Sequence, residues 1–100
     1  MKLIKKITEM MDEELAGAEA YAELAIEHKE HHPELSKTFY EISVMELSHA
    51  DMLHAQAAKL IEKRRQAHDG HSESIDIICE WIHEHKAKQS KVVKETLSEY

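Results

Sequence analysis

Two carboxylates and one imidazole stand where a helical chain would ordinarily bury aliphatic side chains. Glu46 and His49 are three residues apart, so they share one face of a helix. That face also carries Leu35, Phe39, Ile42, Leu53, Ala57 and Leu60. Glu14 is set in the same way among Leu3, Ile7, Met10, Gly17, Tyr21 and Leu24. An isolated buried carboxylate is strongly disfavoured unless it is paired, protonated or bound to a metal. Neither row contains a Lys or Arg to neutralise the acids. Three readings follow: a hydrogen-bonded Glu–His pair in the core, a row so phased that Glu14 is exposed, or a metal site. The lack of a cation in either row favours a divalent metal, and carboxylates with imidazole suit iron, manganese or zinc.

The elements that must position these groups are helices. The chain has five aromatics, two glycines and one proline in 100 residues, with long runs of Glu, Lys, Ala, Leu, Met and His. That composition favours helix over strand. A first helix is expected from about Leu3 to His28. Beside its main row runs a second apolar row of Ile4, Met11, Leu15, Ala22 and Ile26, so its apolar face is wide enough for more than one neighbour. Pro33 ends the first segment and suits the first position of the next. The second helix is expected from about Pro33 to Ala67, with Lys63, Arg64 and Arg65 near its carbonyl end. Off its main row lie Val44, Met45, Leu47 and Met52. Gly70 is placed to close it and Ser72 to cap a third helix over about 73–97. On that helix Ile75, Ile78, Ile82 and Val93 share a side, flanked by Ile77, Trp81 and Val92. The fold class expected is all-α: one domain over residues 1–100, with a long antiparallel hairpin over about 3–67 and a third helix. The hairpin would bring Glu14 level with Glu46 and His49.

The formal net charge of −7 argues against nucleic acid as a partner and is compatible with attracting cations. The single Cys79 excludes an internal disulfide or a multi-cysteine metal cluster, and reads as a small buried apolar residue. The basic start MKLIKK is followed by acids and by no small-residue cleavage site. No segment reaches the ~18 apolar residues of a membrane span. A soluble, cytoplasmic protein is expected.

One chain supplies too few ligands for a pair of metals, and a small core leaves stability to be sought in assembly. A homodimer answers both. Two hairpins about a twofold axis form a four-helix bundle holding a Glu from each of two helices and a Glu-x-x-His from each of the other two. At this point the segments EELAGAEAY (Glu13–Tyr21) and PELSKTFYEISVMELSHA (Pro33–Ala50) matter together. Glu14 precedes Tyr21 by seven residues, and Pro-Glu-Leu opens the helix that carries Glu46-x-x-His49. Over about residues 9–60 the chain resembles the ferritin-like/rubrerythrin superfamily, most closely its half-length members, the encapsulated ferritins. The resemblance implies a ferritin-like dimer with a di-iron centre, Mn or Zn being the alternative metals. Glu46 would bridge the metals, Glu14 and His49 would be terminal ligands, and Tyr21 would hydrogen bond to a ligand carboxylate. Glu13 matches an acidic residue of the family's iron entry path, whereas Ala16 and Ala20 stand where acidic or aromatic residues complete it. The implied activity is that of a ferroxidase, oxidising Fe(II) with dioxygen in iron storage or detoxification. The implied partners are a second copy, a larger ring or cage of dimers, or an encapsulin shell. The tail SKVVKETLSEY carries no recognisable shell-targeting sequence. The competing expectation is a non-catalytic helical assembly or adaptor protein with a structural metal or none.

Other chemistry-bearing residues carry less. Glu80 and His83 repeat the Glu-x-x-His spacing but lie off the isoleucine row of the third helix, which reads as a solvated face. His83 and His85 are two apart and point different ways. Asp51 and His54 repeat the acid-to-His spacing off the main row. His28, His31 and His32 gather at a helix end, where an accessory metal site is a minor alternative.

Overall fold

A computed structural model describes residues 2–67 and 73–100, and these form three helices: α1 (Lys2–Glu27), α2 (Pro33–Ala67) and α3 (Glu73–Ser98). No strand occurs among the described residues. The expected caps Gly70 and Ser72, and the side chain of Ile75, lie outside them. None of the described helices is long and apolar enough to cross a membrane. The molecule is a rod of 58 × 18 × 15 Å, its length set by α2, whose 35 residues at ~1.5 Å each span about 52 Å.

The first break falls at residues 28–32. The His32 N–H donates to the His28 carbonyl and the Ser36 N–H to the His32 carbonyl, so the backbone stays bonded through the turn. Pro33 is the first residue of α2, where its missing N–H leaves no helical bond unmade. α1 and α2 run antiparallel. Two cross-helix hydrogen bonds fix their register: the Ser43 hydroxyl donates to the Ala18 carbonyl at 2.7 Å, and the Ser36 hydroxyl donates to the Ala25 carbonyl. α3 lies in the groove between them, parallel to α1 and antiparallel to α2. Asp12 meets His85 and Glu19 meets Thr96 along one side. Along the other, Arg65 meets Asp76 at 2.5 Å, Lys86 meets Asp51 at 2.5 Å, and Tyr40 stacks on Tyr100.

The interior is not where the sequence pattern places it. The expected main row of α1 is partly open, with Leu3 59% and Met10 42% exposed. The buried residues are instead Ile4, Met11, Leu15, Ala18, Ala22 and Ala25, largely the row taken as secondary. On α2 the buried row is Ser36, Ser43, Ala50 and Ala57 with Ile61, and Leu35 is 46% exposed. The inner row is thus one residue on from Leu35, Ile42 and His49. Small side chains decide this. Serine and alanine at seven-residue intervals let two long helices approach closely along their whole length, and the bulkier rows on either side are left for other contacts. Ser36 and Ser43 can be buried because each hydroxyl has a carbonyl partner.

The resulting core is slender. Ile4, Met11, Leu15, Ala50, Ile61 and Ile82 form its main cluster, with Leu47, Leu53, Leu60, Ile78 and Cys79 packed against it half-buried. The largest side chains under 2% exposed are Met11 and Val93, followed by the two serines. Ile77, Trp81 and Val92 of α3 are exposed.

Candidate metal centre

Glu14, Glu46 and His49 do converge, at mid-height of the hairpin and on the face away from α3. The His49 Nδ1 is 3.3 Å from Glu14 Oε2, joining α1 to α2. The imidazole therefore pairs with the carboxylate of the other helix, rather than with Glu46 one turn before it. Glu46 reaches across to α1 and lies on Gly17. A Cβ on Gly17 would overlap Glu46 Oε2 and fall 2.9 Å from its Cδ. The carboxylate occupies the space that any other residue at position 17 would fill, so the glycine is there for close approach rather than for a turn.

Among the described residues, the partner of the two carboxylates in this cluster is the His49 imidazole alone. Burial, and then the nearby Glu14 carboxylate, raise the pKa of Glu46 above the ordinary carboxylate range, with His49 pulling the other way. Two acids and one imidazole thus share a site, with no Lys or Arg among the causes acting on Glu46. The groups are not sealed in the interior, as the reading of a buried stripe had them. His49 is 55% exposed and Glu14 31%, because the row that carries them is the outer one. Around them on the same face are exposed Met10, Leu35, Met45 and Met52 and half-buried Tyr21, Phe39 and Leu53.

The remaining expected site residues are placed as follows. Tyr21 packs its ring on Phe39, centroids 5.9 Å apart. Among the described hydrogen bonds none joins its hydroxyl to a carboxylate of the cluster. Glu13 is exposed beside the cluster, as are Ala16 and Ala20. At the turn, the His28 ring lies 5.8 Å from that of His32 and 6.2 Å from that of Phe39.

Further contacts depend on how the helices pack. Gly17 was placed on the Glu14 row, but its role as the seat of Glu46 needs the packing of α2 to appear. His83, read as solvated, meets His54 of α2, with Nδ1 and Nε2 2.8 Å apart. His85, two residues on, turns instead to Asp12 at 2.8 Å and stacks on Trp81. The opposite directions of His83 and His85 follow from α3 straddling the other two helices.

The donor types suit a metal of the iron, manganese or zinc kind: the Glu14 carboxylate meets the His49 imidazole, and no Lys or Arg is among the charges acting on Glu46. They do not complete such a site in a single chain. Among the described residues, no three His, Cys, Asp or Glu side chains are arranged to hold a metal ion. Compared with protein-family models, curated proteins and solved structures, the chain gives no match.

Proposed function

We propose that two copies of the chain join through the open face of the α1–α2 hairpin and there bind a pair of iron ions, as the half-length ferritin-like proteins that the sequence resembles do. The observation that carries the reading is Glu46 laid on Gly17 beside the Glu14–His49 pair. A glycine kept free for a partly desolvated carboxylate, next to a second carboxylate and with one imidazole between the two, is an arrangement that a bound cation would favour. The apolar surround supports a partner that is a second copy, since twofold pairing brings the same half-set of ligands from the opposite side.

In that dimer each chain contributes Glu14, Glu46 and His49. The carboxylates bind hard cations and favour the ferric over the ferrous state, and the imidazole adds a terminal nitrogen. Ferrous iron is the substrate: each of two ions gives up one electron to dioxygen, and their closeness allows both to be drawn from one site. Exposed Glu13 lies at the approach to the cluster. A dimer of rods has no room for mineral, so storage belongs to a larger assembly of dimers.

Anaerobic titration of metal-free protein with Fe(II) tests this. Saturation at about one iron per chain is expected, two per dimer. Glu46→Ala binding Fe(II) as well as the unsubstituted chain sinks the site. The second reading, a non-catalytic helical assembly or adaptor module, is favoured by the incomplete ligand set of the single chain. Under it, chelation leaves the dimer and its stability unchanged, and replacing the partly desolvated Glu46 with Leu leaves the fold at least as stable.

A further inference from the structure

α2 and α3 each carry an acid-to-His motif outside the Glu14 cluster: Asp51-x-x-His54 and Glu80-x-x-His83. The antiparallel packing of these helices places the two imidazoles against each other, Nε2 of His54 at 2.8 Å from Nδ1 of His83, ring centroids 4.6 Å apart at 69°. We propose that His54 and His83 together bind a borderline divalent transition-metal ion, of which zinc is the probe of choice, and that this ion clasps α3 to α2.

Several observations support a ligand pair over a plain contact. At 2.8 Å one ring N–H donates to the lone pair of the other ring; a metal ion takes the place of that proton once the donor ring carries its proton on its other nitrogen. A neutral imidazole is the form that binds metal. Tetrahedral zinc with Zn–N bonds of 2.0–2.1 Å needs nitrogens about 3.4 Å apart. A half-ångström opening by side-chain rotation, from roughly 2.8 Å, provides that separation. Lys86, a cation beside the pair, is already answered by Asp51 at 2.5 Å. His83 is exposed, leaving room for water to complete the coordination that two protein ligands begin. Imidazole pairs select zinc, copper or nickel over magnesium or calcium. The site is separate from the hairpin face, since His54 looks toward α3 and His49 away from it.

The test uses the full chain carrying Glu14→Gln and Glu46→Gln, so that zinc at the other cluster is suppressed. Calorimetric titration with zinc is expected to find one site per chain, and adding His83→Gln is expected to weaken it at least tenfold. Absence of zinc binding in the parent, or a loss smaller than tenfold in His83→Gln, overturns the proposal. If His83→Gln loses its helical circular dichroism, ring-nitrogen NMR of the parent decides instead. Zinc must shift the imidazole resonances of both His54 and His83, and a shift of fewer than both overturns the assignment.

Discussion

The two faces of the α1–α2 hairpin use opposite means. Toward its own seam the chain presents alanine and serine, buried to 1% exposure or less at Ala18, Ala22, Ala25, Ser36, Ser43, Ala50 and Ala57. Away from α3 it presents methionine, leucine and phenylalanine around two carboxylates and an imidazole, and leaves them partly open. The first face is complete within one chain: close, small and fully hydrogen bonded. The second has bulk without burial, and two carboxylates that share one imidazole. The contrast teaches that the largest apolar side chains of a short helical protein need not mark its monomer core.

The most severe way to break this contrast is to charge the open face. Phe39→Lys is expected to abolish dimerisation in sedimentation equilibrium and to cost Fe(II) binding with it, while circular dichroism keeps the helices. A monomeric variant that still binds iron at full stoichiometry separates the face from the site. Filling the closed face is next. Ala50→Leu forces a large side chain into a fully buried position and is expected to cost about 1–3 kcal/mol in urea unfolding. Ser43→Ala removes one cross-helix bond whose acceptor keeps its helical partner, and is expected to cost roughly 1 kcal/mol.

Gly17→Ala sharpens the comparison because the two faces respond differently. In a helix interior alanine is favoured over glycine by up to about 1 kcal/mol, and the atoms in its way are the far end of the Glu46 side chain. The expected result is a fold of equal or slightly greater stability with Fe(II) affinity lost, as Glu46 is displaced. Retained affinity would detach Glu46 from the site.

The smallest effect is a pH dependence. His54 is held below its unfolded value, so between the two values the unfolded chain binds the extra proton. Stability tied to this group is present above the ordinary histidine pKa of about 6.5 and declines as pH falls below it toward the lower folded value. His54→Gln is expected to flatten the acid side of the stability profile measured in metal-free protein. Unchanged curvature would mean that His54 is not strained by its neighbours.

Much of this protein was legible in its residues. The composition and the break at Pro33 define helices, and three-residue spacing places Glu46 with His49. Equal offsets from the turn bring Glu14 to their level. What the sequence could not say is which of two adjacent apolar rows faces inward. Periodicity measures hydrophobicity along a helix, and both rows of α1 satisfy it. The choice belongs to side-chain size at the approach of two axes, which only the packed pair decides, and there Ser36 and Ser43 outrank Leu35 and Ile42. The same holds for Gly17, Glu46, His54 and His83. Their types and positions are fixed by the chain. Their contacts depend on the register of α1 on α2 and on α3 lying in the groove between them, a long-range arrangement that no local pattern encodes.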